Sequence, residues 1–274
     1  MIKKLNIILY ILFIFAIVST SCTEIIRMDI NDSDPQIVVE ASIGQGEYAR
    51  VVLTESVNLY SQDEFPGITG AIVKLTDNEG NTEILTQTAP GVYVSTELIG
   101  KAGRTYYLDI EKEEKSIIAT STIPSFVPID SFRVVNSIYP GGGPAILPNQ
   151  TADFYEVYVT YTDPVNESNY YRIVLYVNDI PQNRNYINDD RLTNGNRVEN
   201  LLVVYDPELE PGDKIMVEMM CIDKPVYEYF KSMGSSTSGP SNSSSPANPY
   251  TNLNGTILGF FSAHSIERRV FFIE

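Results

Sequence analysis

A single histidine limits the acid–base chemistry that this chain could perform. His264 is the one histidine among 274 residues, so a serine hydrolase triad would have to use it as the base. The Gly-x-Ser-x-Gly turn that presents a nucleophilic serine does not occur in the sequence. Apolar runs at Thr256–Ala263 and Arg268–Ile273 are predicted to form two closing strands, which places His264 in a turn between them. The sequence therefore indicates no catalytic residue.

Patterns for metal ions and phosphate groups are equally weak. The acidic stretch 29–34 lacks the glycine and the distant glutamate of a calcium-binding EF-hand loop. Zinc would need several His or Cys ligands, and the chain has one His and two Cys. The run Gly141-Gly142-Gly143 lacks the lysine and the following helix of a phosphate loop. We therefore predict no metal site and no cofactor.

Aromatic side chains are the remaining candidates for contact with a ligand or a partner. The chain has 18 tyrosines, 11 phenylalanines and no tryptophan. Most of them follow the alternation of strands, which is typical of core and sheet faces. Tyr139, Tyr186 and Tyr250 lie in predicted loops, and these three are the candidates for contacting a ligand or a partner.

The beginning of the chain has the pattern of a secreted protein. Lys3 and Lys4 precede an apolar run, Leu5–Val18, and small polar residues lead to Cys22. This run is shorter than the roughly 20 residues of a membrane-spanning helix. A cysteine in this place resembles the lipobox of bacterial lipoproteins, whose thiol carries a diacylglyceryl group. We predict a signal peptide at residues 1–21, lipidation of Cys22 and a lipidated tether at residues 22–35.

The second cysteine and the net charge are consistent with this prediction. If Cys22 is lipidated, Cys221 has no partner for a disulfide within the chain, and its place in the apolar run 215–222 predicts a small buried side chain. The formal net charge of −16 repels nucleic acids and anionic lipid headgroups. We therefore expect no nucleic-acid partner and expect acyl chains to hold the protein on its membrane.

Residues 36–123 show the regular spacing of short strands and turns that predicts a β-sandwich. Asp77-Asn78-Glu79-Gly80 supplies one of the hairpin turns. The predicted strands are Gln36–Ser42, Ala49–Thr54, Ala71–Thr76, Thr82–Thr86, Gly91–Ser95, Thr105–Glu111 and Ser116–Thr122.

Pro124 marks a predicted domain boundary, after which residues 124–274 form a second β-rich domain. One short helix is expected in it, because Asp223 can cap its first turn and apolar residues then recur at helical spacing up to Gly234. Residues 235–247 are rich in Ser, Gly and Pro, which predicts a disordered loop. The other predicted strands are Pro128–Val135, Ala152–Thr162, Tyr170–Val177, Val198–Tyr205 and Lys214–Ile222.

Three parts of the sequence together resemble DUF4249, a family of uncharacterised lipoproteins from Bacteroidetes. They are Ser21–Ala41, Gly70–Leu75 with Gly91–Tyr93, and Asn248–Ala263. The resemblance implies an outer-membrane lipoprotein, commonly encoded beside TonB-dependent receptors, whose N-terminal domain is an immunoglobulin-like or transthyretin-like β-sandwich. It implies no activity, because none is established for the family.

These observations predict a protein that is not an enzyme and that serves as a binding or accessory module beside a TonB-dependent receptor of the outer membrane. Only Glu24 follows Cys22 closely, which favours the periplasmic face over the cell surface. Two alternatives stay open. One is a fimbrillin-like structural adhesin subunit cleaved near Arg50, and the other is a glycan-binding surface lipoprotein that uses Tyr186 and Tyr250.

Overall fold

The computed structural model describes residues 34–58, 65–139, 152–204, 210–237, 248–255 and 257–274. The predicted signal peptide, most of the tether and the glycine run at 141–143 lie outside these residues. The elements of the first half are β1 (Ile37–Gly44), β2 (Tyr48–Glu55), β3 (Ile72–Asp77), β4 (Thr82–Ile84), β5 (Thr86–Ala89), β6 (Val92–Ile99), β7 (Thr105–Lys112) and β8 (Lys115–Thr122). Those of the second half are β9 (Ile129–Tyr139), β10 (Ala152–Thr162), β11 (Tyr170–Val177), β12 (Ile180–Pro181), β13 (Tyr186–Asp189), β14 (Arg197–Val204), β15 (Lys214–Ile222), α1 (Lys224–Thr237) and β16 (Leu258–Phe272).

One long sheet runs through both halves of the chain. Its strand order is β12-β11-β15-β16-β1-β2-β6-β5, and β13 pairs with β11 beside this path. Two smaller sheets have the orders β4-β3-β7-β8 and β14-β10-β9. The predicted strand at 82–86 is divided at the buried Leu85, so that β4 pairs with β3 in a small sheet while β5 pairs with β6 in the long sheet.

The strand β16 joins the two halves because it changes its pairing partner along its length. Its first half pairs in parallel with β1, from Val38 opposite Leu258 to Gly44 opposite His264. Its second half pairs antiparallel with β15, beginning with Ser265 opposite Cys221. The two predicted closing strands are therefore one continuous strand, and the predicted turn around His264 is wrong. The residues between the two apolar runs, 264–267, do not end the strand because β1 and β15 supply backbone partners throughout.

Alternation along β16 gives the long sheet two different faces. Phe261 and Ala263 belong to a core that fills the space between the long sheet and β4-β3-β7-β8. Further along the chain, Ile273 belongs to a second core beneath β14-β10-β9. Both small sheets thus pack on one face, each forming a β-sandwich with half of the long sheet. The predicted mainly β fold, a sandwich followed by a second β-rich part with one helix, is confirmed.

The predicted domain division at Pro124 stays a prediction, although residues beyond it contribute to the first sandwich. Each of the seven strands predicted before Pro124 is present, with ends shifted by a few residues. However, Leu253, Phe261 and Ala263 from the C-terminal part are buried in the first core. The first sandwich is therefore completed by a strand that the sequence places far from it.

The helix α1 packs on the opposite face of the long sheet. Val226, Tyr227 and Phe230 of the helix bury the outer side chains of Val174 and Met220. The helical spacing of apolar residues that predicted this helix is thus explained by a second apolar surface on the sheet.

Asp223 caps this helix, as predicted, and also ties it to the first sandwich. One carboxylate oxygen accepts the backbone N–H of Val226 at 3.1 Å. The other accepts the hydroxyl of Ser121 at 2.7 Å and the N–H of Thr122 at 3.0 Å. Ser121 Oγ in turn accepts the N–H of Ala263 at 2.8 Å. One carboxylate therefore connects the helix with β8 and, through Ser121, with β16.

The predicted end of the helix at Gly234 is wrong, because α1 continues to Thr237. A single glycine lowers helix stability by only about 1 kcal/mol, which packing of the preceding turns on the sheet offsets. Residues 235–237 of the predicted disordered loop are therefore helical, and residues 238–247 lie outside the described part of the chain.

Two glycines give opposite expectations for the same substitution. Gly259 has φ +107°, and a Cβ atom there would lie 1.9 Å from the carbonyl oxygen of Val39 on β1. We expect Gly259→Ala to lower the free energy of unfolding by about 3 kcal/mol or more. A Cβ atom added at Gly234 would meet no described atom within 4 Å outside the helix backbone, so Gly234→Ala is expected to raise this free energy by about 0.5–1 kcal/mol. Urea unfolding of both variants measures the two effects, and equal effects of the two substitutions would contradict this account of β1–β16 pairing.

Candidate functional site

A pocket lies on the helix-bearing face of the long sheet, beside the point where β16 changes partner. Its volume is about 230 Å³. Every second residue of β16 from Phe260 to Arg268 lines it, as the alternation of a strand requires. Side chains from β1, β11 and β15 and from the turn after β1 complete its walls. The junction of the two sandwiches thus creates the pocket.

One wall of the pocket is a network of charged groups around Arg268. Its Nη1 lies 2.6 Å from Oε1 of Glu47, and its Nε lies 2.6 Å from Oε1 of Glu218. Oε2 of Glu218 accepts the hydroxyl of Tyr176 at 2.7 Å. Burial and this bond to the carboxylate raise the pKa of Tyr176 to about 12, so the phenol keeps its proton. The charge of Arg268 is therefore shared by two carboxylates. Each oxygen of Glu218 already has a partner, Arg268 for one and Tyr176 for the other.

Arg172, on β11, is the charged group of the pocket that lacks a counter-ion. Its guanidinium carbon lies 4.0 Å from the centre of the Phe230 ring on α1. Its Nε is buried and has no hydrogen-bond partner, and within the described ranges no carboxylate forms an ion pair with this side chain. Burial lowers the pKa of Arg172, while Tyr176 and Glu218 oppose the shift. The Arg172 side chain is partly buried, and a charged donor that lacks an acceptor is energetically costly to bury, so this position favours an incoming anion.

Ser262 and His264 form the polar floor of the pocket. Both side chains are buried, and Oγ of Ser262 lies 3.1 Å from Nδ1 of His264. Burial lowers the pKa of His264 to about 4, with Glu47 opposing the shift and Arg172 adding to it. The imidazole is therefore neutral near pH 7. Because a general base works best with a pKa near the working pH, this pair is poorly suited to activating a serine.

The aromatic candidates from the sequence are not brought together at this pocket. Tyr139 ends the strand β9 and Tyr186 begins β13, so their predicted loop positions are wrong. The Tyr186 ring packs against the second core, and its hydroxyl accepts the N–H of Val203 at 3.3 Å. Pairing with neighbouring strands explains both positions. Tyr250 is in a loop, as predicted, and is 72% exposed.

Two further predictions concern cysteines and metal ions. Cys22 lies outside the described residues, so its lipidation stays a prediction. Cys221 is buried in β15, as predicted, and burial raises the pKa of its thiol. Among residues 34–274, apart from the gaps given above, no group of three or more His, Cys, Asp and Glu side chains is placed to hold a metal ion.

The charged residues of the pocket were missed by sequence reasoning, although two of them carried a signal. Arg172 stands inside the apolar strand 170–177, and Glu218 stands inside the apolar strand 214–222. A charge in such a strand needs a partner or a special environment. The sequence does not predict that β11, β15, β16 and β1 pair with one another. This pairing places the charged side chains on one face of the sheet.

Taken together, the fold and the pocket define a β protein of two sandwiches that share one sheet. Residues 23–269 match the domain of unknown function DUF4249, and the chain belongs to this family. A comparison with curated proteins finds no match. In the described part of the chain, no helix has the length and apolar character needed to cross a membrane.

Two solved structures show a distant likeness in fold. One is a pullulanase complexed with maltotriose from Anoxybacillus sp. LM18-11, with 11% identity, 67% of this chain and 24% of that chain covered, and a TM-score of 0.23. The other comprises the FN1-FN3 domains of chicken CNTN1, with 14% identity, 69% of this chain and 60% of that chain covered, and a TM-score of 0.25. The chain thus spans about a quarter of the first and three fifths of the second. Neither likeness carries an argument about function.

The lowered pKa of His264 predicts a specific acid sensitivity. The unfolded chain gains a proton near pH 6.5, whereas the folded chain gains it near pH 4, so the stability that neutral His264 contributes is lost as the pH falls below 6.5. Between about pH 7.5 and about pH 5, we expect the wild type to lose about 2 kcal/mol more unfolding free energy than His264→Gln. Urea unfolding at both pH values provides the measurement, and equal losses in the two proteins would show that His264 does not titrate in this way.

Proposed function

We propose that this protein is a non-enzymatic lipoprotein of the outer membrane and acts as a binding module beside a TonB-dependent receptor in nutrient uptake. The observation that supports binding is the pocket at the sandwich junction, where Arg172 lies over Phe230 and its Nε has no hydrogen-bond acceptor among the described residues. A fixed polar group in a concave, partly apolar site is typical of ligand recognition. The shared sheet holds this group rigidly, because β11 is hydrogen-bonded to β15 along its whole length.

Binding is favoured over catalysis by the chemistry of the same residues. A nucleophile needs a base that accepts its proton near the working pH, and His264, with a pKa of about 4, is a weak base. The carboxylates of Glu47 and Glu218 are engaged by Arg268. The pocket therefore offers groups that hold a ligand in place and lacks a strongly activated nucleophile among the described residues.

The proposed location rests on the sequence. A diacylglyceryl group on Cys22 anchors the chain, and acyl chains add roughly 0.8 kcal/mol of membrane affinity for each buried methylene. The net charge of −16 makes an electrostatic contribution from anionic lipid unfavourable. The periplasmic face is preferred over the cell surface, because Glu24 alone supplies acidic charge directly after Cys22.

The structure offers no specific support for the two alternatives. Arg50 lies within β2, which is paired with β1 on one side and β6 on the other. Cleavage there would cut a strand in the interior of the sheet, whereas a donor-strand subunit needs a strand that can be displaced. Tyr186 has its ring against the second core, so it does not present a free face for stacking on a sugar.

The anchor is tested by replacing Cys22. We expect the native protein to begin at a diacylated Cys22, because the thioether can form only at this thiol, and we expect Cys22→Ala to leave the membrane fraction. Mass spectrometry of the purified N-terminus and fractionation of cell envelopes measure these outcomes. Cys221→Ala is the control and should remain on membranes. An uncleaved, unmodified N-terminus, or membrane retention of Cys22→Ala, would overturn the proposed location.

The partner is tested by affinity purification of the native lipoprotein from detergent-solubilised envelopes. We expect a TonB-dependent receptor to be enriched by at least about tenfold over a purification that uses an unrelated lipoprotein as bait. Quantitative mass spectrometry of the eluates gives the ratio. If no outer-membrane barrel protein is enriched, the receptor association is wrong.

A further inference from the structure

The pocket contains three features that together restrict its ligand. It has a cation at Arg172 whose Nε lacks an acceptor in the part of the chain that the structure describes, a wall that already carries two carboxylates, and an apolar wall formed by Met220, Phe260 and Ile266. The cation favours an anionic ligand, the acidic wall disfavours a multiply charged one, and the apolar wall favours a ligand with an apolar part.

The free cation selects for an anion. The Nε–H of Arg172 is buried without an acceptor, and an unsatisfied charged donor is among the most costly groups to bury. A guanidinium presents its N–H groups in a planar fork that matches the two oxygens of a carboxylate. The guanidinium carbon lies 4.0 Å from the centre of the Phe230 ring, and this contact holds the charged group beside the pocket.

The acidic wall limits the charge of that anion. Glu47 and Glu218 share the single charge of Arg268, so this network carries a net charge of about −1 by itself. A dianion such as phosphate would be repelled by this wall more strongly than a monoanion. Neutral His264 and Ser262 on the floor add hydrogen-bonding groups without adding charge.

The volume and the apolar wall define the rest of the ligand. A space of about 230 Å³ equals roughly eight liquid water molecules, which suits a compact molecule of about ten non-hydrogen atoms. Met220, Phe260 and Ile266 offer it apolar contact on one side. A small organic acid with an apolar body satisfies all of these conditions.

We propose that the pocket binds a small organic monocarboxylate, whose carboxylate pairs with Arg172 and whose apolar body packs against Met220, Phe260 and Ile266. The inference deepens the proposed function by giving the binding module a ligand class. It does not depend on the receptor association, so the two can fail separately. Receptor enrichment without carboxylate binding would overturn the ligand class alone, and carboxylate binding without an enriched receptor would overturn the partner alone.

Isothermal titration of the full-length lipoprotein in detergent with phenylacetate and with phenylacetamide tests the proposal. The two probes have nearly the same shape and differ in charge. We expect phenylacetate to bind at least about tenfold more tightly than phenylacetamide, and we expect an equal concentration of inorganic phosphate not to displace it. Equal binding of the two probes, absence of phenylacetate binding, or displacement by phosphate would each overturn the proposal.

Substitutions of single residues test whether phenylacetate binds in this pocket. Arg172→Gln removes the cation and is expected to weaken phenylacetate by at least about tenfold while changing phenylacetamide little. The matched control is Arg184→Gln, which removes an arginine that lies over the Tyr186 ring and does not line the pocket. Unchanged phenylacetate binding by folded Arg172→Gln would overturn the assignment.

A second variant covers the case in which Arg172→Gln does not fold. Ser42→Phe leaves Arg172 in place and fills part of the pocket from β1, where an aromatic residue suits a strand. We expect it to reduce binding of both probes. Thermal unfolding of each variant reports on folding, and full binding by folded Ser42→Phe would exclude this pocket as the site.

Discussion

The strand β16 completes both halves of this protein, because its backbone hydrogen bonds are divided between two partners. From Leu258 to His264 it pairs with β1, and from Ser265 to Phe272 it pairs with β15. Each core also receives side chains from β16 or the residues that flank it. Removing this strand would leave two sheet edges unpaired and both cores open to water. The sandwiches are therefore linked through a common structural element and not merely through a connecting segment.

The same strand explains where a pocket can form. On one face of the long sheet, the small sheets cover β16 on both sides of the change in partner. On the other face, α1 covers β11 and β15, while the region around His264 and Arg268 is left concave. Asp223 holds the helix in this position through Ser121 and Thr122 of the first sandwich. The charged groups of the pocket are thus contributed by both halves, because Glu47 follows β1 whereas Arg172, Glu218 and Arg268 lie on β11, β15 and β16.

Local sequence patterns predicted most of the strands, because alternation and turn residues are properties of short segments. The strands before Pro124 and the capping of α1 by Asp223 follow from such patterns. Long-range pairing is not a local property, and the two main errors arose there. Residues 264–267 resemble a turn because they lie between two predicted strands, yet β1 and β15 pair with this part of β16 and keep it extended. Gly234 resembled a helix end, yet contacts of α1 with the sheet carry the helix beyond it.

The candidate site is harder to predict from the sequence than the fold. Its charged side chains come from strands that lie far apart in the sequence, and no spacing rule connects Glu47 with Arg268 or Arg172 with Phe230. The tyrosines were proposed because they were expected in loops, but two of the three are strand residues. A charged residue within an apolar strand, as at Arg172 and Glu218, was the more informative signal, since such a charge needs a structural reason.

The separation of the paired strands along the chain also bears on biogenesis. Glu47 and Arg268, which meet beside this junction, are 221 positions apart. A chain that emerges from its N-terminus exposes β1 long before β16 exists, and loop closure over this distance is entropically costly and slow. During that interval the free edge of β1 can pair with foreign strands. Because β1 is made first and its partner β16 last, one edge of β1 stays unpaired until synthesis of the chain is nearly complete.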